Sequence, residues 1–524
     1  MKLSAKILIP GFLLLFASSA YSNQYYVDME KGNDSNNGSS AATAWKTLEK
    51  VSSSLYEPGS TIYFKTGQRF IGLLTISSSG KNGLPITYTT YGGDKPAIID
   101  GNGDSAAIYS INKEYILLSH IAVTNFRKRE MSMNDLFNGI YIVNQDGGTL
   151  HYFHFDNVKV FDVNSTHIAK DEGKTDQSRF HGGVQFYTKG NSVRSNFDDV
   201  LVTNSIFENL SRTGFNFRSD WDDRSANSKF GDSIGKGMVD NWTPNTKVIF
   251  RKNIFKNIAG NGLIVRVAVD ALIERNLFDS CGKFISGNAV FNFNTDNTIY
   301  QYNEAMHTIY SDGETDARGI DSDYRTKNTV IQFNYLHDNG LGGVTAVGGP
   351  GVGDDPVNFN IGTIIRYNIL ENNARQGAYF SGRVERLQVY NNVFYANETY
   401  SDVVVIKLNR WTVYPNDCSF RNNIFYFEGR NAGYAFTVAT NVVFDHNIYF
   451  GVKPPVEFVD KSPLEADPLF NAKGTGIGSY QLLKKSPAIK AGIIIPGTAN
   501  LDYYGNKIDK NSLPNIGIDN GRIN

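Results

Sequence analysis

Short runs of alternating apolar and polar residues, each closed by an asparagine and a further apolar pair, recur along much of the chain. They read LVTNSIF around Asn204, VIFRKNIF around Asn253, ALIERNLF around Asn276, TIYQYN ending at Asn303 and TVIQFNYL around Asn334. The series continues as TIIRYNIL around Asn368, LQVYNNVF around Asn392, CSFRNNIF around Asn423 and NVVFDHNIYF around Asn447. Their β-branched and aromatic content predicts strands ended by tight bends, not helices. From Asn253 onward the asparagines return every 23 to 34 residues, a length that fits one coil of a parallel β-helix.

Stacking such coils pairs each strand with its equivalents above and below at about 4.8 Å. Asparagine suits the bend because it tolerates left-handed backbone, and its amide can bond locally or to the asparagine of the next coil. The polar residue two places before it (Arg251, Glu274, Gln301, Gln332, Arg366) is expected to face water. Proline is scarce, as central strands require. Uneven repeat length argues against propeller blades, and the lack of hairpin dipeptides argues against a sandwich.

A solenoid needs caps. AWKTLEKVSSSL, Ala44 to Leu55, predicts a short amphipathic helix after the polar loop KGNDSNNGSS, placed to plug the first coil. ADPLFNAKG, SPAIKAG and DYYGNKI predict irregular turns closing the last one. The expected organisation is a signal peptide over 1–22, an N-terminal cap with first coils over 23–105, the parallel β-helix over 106–455 and a C-terminal cap over 456–524. These flanks are similar to those of exported bacterial right-handed β-helix proteins, which implies an all-β, right-handed, single-stranded solenoid. Fold alone does not imply function.

The N-terminus changes the picture of where the protein works. Lys2 and Lys6 precede an apolar run from Ile7 to Phe16, and small residues follow at Ser18 to Ala20, which reads as a secretory signal cleaved after Ala20 or Ser22. The run falls well short of the roughly 20 residues a spanning helix needs, so secretion or periplasmic residence is expected and no membrane span. Without the two lysines, 49 cations face 52 acids, a formal charge of −3, too mild for a nucleic-acid or anionic-membrane footprint. Cys281 and Cys418 are too few for a disulfide framework and read as buried thiols.

Candidate chemistry concentrates in SDGETDARGIDSDYRTK, read as a loop between the Asn303 and Asn334 coils, where Asp312, Glu314, Asp316, Asp321 and Asp323 crowd together. In extended backbone Asp321 and Asp323 point the same way, with α-carbons about 6.5 to 7 Å apart. Such pairs divide their proton affinities, one carboxyl rising toward neutral pH while the other stays charged, which suits glycoside hydrolysis. Two plainer readings stand beside this: loop aspartates that only accept backbone hydrogen bonds, and carboxylates that hold Ca²⁺. The calcium reading leads to a polysaccharide lyase in which Lys327, Arg318 or Arg325 acts as base or clamp. A non-catalytic glycan-binding protein or adhesin is the remaining class.

Other substrate-binding candidates are Trp221 and Arg218 in RSDWDDR, with Trp221 as a sugar platform, and His307 and His337, one coil to either side of the acids. GGVTAVGGPGVGDDP, Gly342 to Pro356, lacks the ending of a phosphate loop and reads as a rim loop. NTDN at Asn294 to Asn297 lacks the companion segments of a pectinase, and no serine, cysteine or zinc motif is visible.

The stretch Asp316-Ala-Arg-Gly-Ile-Asp321-Ser-Asp323-Tyr324 resembles the acidic segment of β-helix glycosidases of the lacto-N-biosidase type. That resemblance implies catalytic aspartates at Asp316 and Asp323, seven residues apart, with Tyr324 after the second and Asp321 tuning the pair. It also implies a supporting histidine from an earlier coil, for which SRFHGGVQFY offers His181. The expectation is a monomeric glycoside hydrolase acting on an oligo- or polysaccharide, with no cofactor and no metal, Ca²⁺ entering only under the lyase alternative.

Overall fold

The computed structural model describes residues 23–128, 137–165, 181–224, 241–284, 286–313, 315–349 and 359–521. The stretch expected to be a signal peptide, Glu314 and the later part of the glycine-rich stretch lie outside them. The chain forms a right-handed parallel β-helix whose strands join one sheet of 28 and one of 14, so a typical coil gives two strands to the larger sheet and one to the smaller. Coil-to-coil pairings are parallel throughout, and parallel crossovers take the right hand because of strand twist. The ladder starts at Gln24–Val27, paired with Thr61–Lys65, so the N-terminal segment already belongs to the solenoid.

The short helix is Leu48–Ser53, capped by the Thr47 hydroxyl, and it sets Leu48 and Val51 into the first coil's core. Asp34, from the preceding polar loop, accepts the Lys46 and Thr47 amides at 2.7 and 3.1 Å and so fixes the helix entry.

Inside, equivalent residues stack coil on coil. Val290, Ile320, Val344, Ala378 and Ile406 are register partners in turn, and all are buried. Phe207, Phe255 and Phe278 stack at 4.7 and 4.8 Å on another wall. Burial of such columns is the main driving force for the fold, at about 25 cal/mol per Å².

The recurring asparagines do something narrower than bending the chain. At Asn204 the asparagine itself is left-handed, with φ 51°, but from Asn253 onward the left-handed residue is the one before: Arg275, Tyr302, Phe333, Tyr367 and His446 all have φ between 50 and 57°. The asparagines themselves form a buried hydrogen-bonded ladder. Asn303 donates its backbone N–H and its amide to Asn334 Oδ1, both at 3.0 Å, and Asn334 repeats this toward Asn368. The ladder runs from Asn253 to Asn447 and ends on Asp460, which accepts the Asn447 amide at 2.7 Å.

The polar residues two places earlier are half-buried or buried, and they too are linked coil to coil. Arg251 donates to Glu274 at 2.5 Å, Gln301 to Glu274 at 2.8 Å, Gln332 to Gln301 at 2.9 Å and Arg366 to Gln332 at 2.8 Å.

The C-terminal segment does two things. It covers the last coil, where Leu464 pairs with Ile448 and Asp460 accepts the Asn447 amide, and it then returns along the flank, where Phe470, Tyr480, Ile516 and Ile518 cover Ile369, Val393, Ile424 and Ile448. Asn391 donates to Asn515 O and Gly517 O, which fastens this strap two coils back. The physical reason is that the smaller sheet's outer face is apolar there and must be covered.

Candidate functional site

The acidic stretch is not all loop. Arg318–Ser322 is a buried strand of the larger sheet, between Val290–Asp296 and Gly342–Val347. The glycine-rich stretch expected at the rim therefore begins as the neighbouring strand. Ile320 and Ser322 point inward, while Asp321 points outward in a row running Ile264, Phe291, Asp321, Thr345, Tyr379. Gly319 allows this approach, since a Cβ there would sit 2.8 Å from Gly343 O.

One amide joins the acids. Asn288, on the preceding coil, donates Nδ2 to Asp321 Oδ2 at 3.0 Å and to Asp316 Oδ1 at 3.5 Å, so those oxygens are at most 6.5 Å apart. Ser286 donates its hydroxyl to the other oxygen of Asp316 at 2.8 Å. Asn288 Oδ1 accepts the Arg318 backbone N–H at 3.0 Å, which fixes the amide's orientation and leaves its NH₂ for the acids.

Arg318, buried, lies close enough to interact with both charges. It donates to Thr315 O and, at 2.7 Å, to Gln376 Oε1, and its guanidinium lies 4.7 Å from the centre of the Tyr379 ring. Burial lowers its proton affinity, and the charges of Asp321 and Asp316 oppose that loss. The expected substrate clamp is thus a buried cation supporting the acids.

Asp323 lies past the far end of the strand, half-buried, accepting the Tyr324 N–H at 2.8 Å. The Asn288 amide joins Asp316 to Asp321, and Asp323 follows two residues further along the chain. The chain at Ser322 and Asp323 is held by a buried polar network. Ser322 donates to Thr329 at 3.1 Å, and Asn360 donates to Ser322 O at 2.7 Å and Asp323 O at 3.2 Å.

Tyr324 meets Phe293 edge-on at 4.9 Å, and Arg266 and Arg325 lie over that same ring at 4.7 and 5.9 Å. Asp222, from the segment after Thr213–Ser219, comes down here, its carbonyl accepting Asn294 Nδ2 at 2.5 Å. Burial pushes the Asp222 carboxyl up, and Arg325 only partly offsets it. Arg266, Asn288, Ser286 and Gln376 escaped the sequence reading, because only coil stacking brings them to the site and no local motif marks them, whereas Asp222 lies in RSDWDDR, the segment that carries the candidates Trp221 and Arg218.

Several candidates lie elsewhere. His181 immediately precedes strand Gly182–Lys189, four coils before Arg318–Ser322, or about 19 Å at the spacing of stacked strands. Its Nδ1 accepts the Phe137 N–H at 3.0 Å, so it does not support either acid. Trp221 is only 6% exposed and offers no open platform. Arg218 is half-buried, its guanidinium 4.4 Å from the Tyr187 ring centre on a coil three before the acids. Lys327 follows on the next short strand, 5.6 Å from the Phe359 ring centre.

His307 and His337 belong to the smaller sheet's side. His307 bonds Asp279 at 3.0 Å, and His337 bonds Asp338 and Glu304 at 2.7 and 3.1 Å. Burial alone would lower the pKa of His337, but the two carboxylates outweigh it and raise it to about 9. The folded value lies above the ordinary 6.5, so this contribution to stability is complete below about pH 6.5 and is lost as pH rises through 9. His337→Gln is therefore expected to lower Tm at pH 6 and to match the parent by pH 10; equal losses at both values would show a packing effect instead.

Among the described residues, no three His, Cys, Asp or Glu side chains gather as metal ligands. Cys281 and Cys418 are buried free thiols, and burial pushes Cys418 up to about 12.

No protein-family model matches the chain. A lacto-N-biosidase from Bifidobacterium longum subsp. longum is 23% identical over 481 residues, which cover 76% of this chain and 28% of that protein. The chain thus spans less than a third of the curated relative it matches. Two crystal structures of a GH136 lacto-N-biosidase from Eubacterium ramulus, selenomethionine and native, superpose with TM-scores of 0.56 and 0.55. Each is 17% identical and covers 80% of this chain and 67% of its own, a likeness of fold.

Proposed function

We propose that the protein is an exported glycoside hydrolase acting on an oligosaccharide, with Asp321 and Asp316 as its paired carboxyl groups. The observation that carries this is the single Asn288 amide shared by both carboxylates within 6.5 Å, beside the buried Arg318. Hydrolysis of a glycosidic bond needs one carboxylic acid to protonate the leaving oxygen and a second carboxylate to attack the anomeric carbon or activate water. No cofactor enters this scheme. A ceiling of 6.5 Å reaches only the lower edge of the inverting range, about 6.5 to 9.5 Å, so retention of configuration is expected. Similarity to lacto-N-biosidases supports the reaction class and nominates glycans capped by lacto-N-biose as first substrates.

The mature protein, incubated with a glycan panel that includes such a substrate, is expected to release new reducing ends with or without chelator. A lyase would instead yield ultraviolet-absorbing unsaturated ends that disappear on chelation. Release of neither product from any glycan would leave a binding protein.

A further inference from the structure

The turns beside Asp316 carry apolar surface that neither the core nor the acids use. Phe284 is 62% exposed and Ile309 is 40% exposed, on turns of successive coils between the smaller and larger sheets. Phe284 N–H is tied to Ala259 O at 2.9 Å and Ile309 N–H to Cys281 O at 3.0 Å, so both side chains stand on backbone that is hydrogen-bonded to the coil below. Phe284 is two residues from Ser286, whose hydroxyl grips Asp316 at 2.8 Å, so the exposed ring stands on the same turn that holds this acid.

Tyr310 extends the same surface. Two coils on, Arg375 reaches back to place its guanidinium 4.4 Å from the Tyr310 ring centre, with one of its nitrogens 3.7 Å from Asp312 Oδ1. It can do so because the coil between carries Gly340, where a Cβ would stand 3.0 Å from Tyr310 Cβ and 2.7 Å from its N. An exposed phenyl ring on the turn one coil before a solvent-facing arginine–aspartate pair offers an apolar plate with donors and acceptors on the next turn. That combination matches a pyranose, which offers an apolar C–H face and a rim of hydroxyls.

Resting on the hydrolase reading, we propose that Phe284, Ile309, Tyr310 and Arg375 form a binding subsite for one hexopyranose unit of the substrate glycan, next to the cleavage point on the Asp316 side. Phe284 supplies the stacking face, and Arg375 with Asp312 engages the hydroxyls. Contacts between aromatic rings contribute about 0.5 to 1.5 kcal/mol, and a stacked sugar contact of the same size converts to an affinity change of roughly 2- to 12-fold.

The test uses the full mature protein with Asp321→Asn, which removes turnover, and titrates it by calorimetry with the longest glycan that the parent cleaves. Adding Phe284→Ala is expected to weaken binding about tenfold with Tm unchanged, and Phe284→Trp is expected to restore it. In the active background, Phe284→Ala should raise KM by a similar factor with kcat within about twofold. Unchanged affinity and KM in Phe284→Ala, while the parent still cleaves the glycan, would overturn the subsite and leave the hydrolase reading intact. If the parent cleaves no glycan, the hydrolase reading fails first, and the subsite with it.

Discussion

Asp321→Asn is expected to reduce glycan hydrolysis by about 10³-fold or more, with KM changed only a few-fold and Tm within about 2 °C of the parent. The magnitude follows from removing a group that carries a proton or bonds carbon in the transition state, where general acid–base chemistry alone is worth about 10² to 10⁴. The fold should tolerate the change because asparagine is isosteric and can present its oxygen to the Asn288 amide, which now reaches Asp321 at 3.0 Å. Asp316→Asn should behave in the same way through Ser286 and Asn288.

Asp323→Asn is the informative third variant. Geometry leaves it outside the Asn288 pair, so a loss of no more than about tenfold is expected. A loss as deep as that of Asp316→Asn, with Asp321→Asn nearly active, would move the second carboxyl role to Asp323, as the resemblance in the sequence implies. Steady-state kinetics on one substrate, with calorimetric binding to each variant, separates these outcomes.

Asn334→Ala is expected to cost about 4 kcal/mol or more of folding stability. Asn334 is fully buried at the middle of the ladder: its Oδ1 takes the N–H and amide of Asn303, and its own amide donates to Tyr300 O, Gln332 O and Asn368 Oδ1. Alanine leaves several of these groups buried with a partner missing, at about 1 to 3 kcal/mol each. In a solenoid the damage falls between neighbouring coils, so both faces of the broken interface weaken together. Urea unfolding followed by far-ultraviolet circular dichroism measures the effect. A midpoint shift worth under about 1 kcal/mol would mean that coil stacking by the apolar columns suffices and the ladder adds little.

What could be read from the chain alone was whatever repeats locally. A strand of period two, followed at intervals of 23 to 34 residues by an asparagine, leaves few architectures besides stacked coils, because each run must bury one side and pair along both edges. The same local reasoning placed a helix over Ala44 to Leu55, which forms as Leu48–Ser53, and found the acidic segment. It misjudged the bend by one residue: left-handed φ falls on Tyr302 and Phe333, whose rings stack outside, while Asn303 and Asn334 turn inward to serve the ladder.

Which residues meet across coils was decided only by the tertiary structure. Asp316 and Asp321 are joined by Asn288, about 30 residues earlier, and His181 is excluded because four coil spacings separate it from them. Sequence distance does not measure height along a solenoid when coils differ in length, and neither composition nor periodicity records how many turns lie between two residues. The larger sheet's register settles that, since each parallel pairing fixes one rise of about 4.8 Å and one facing direction for every side chain.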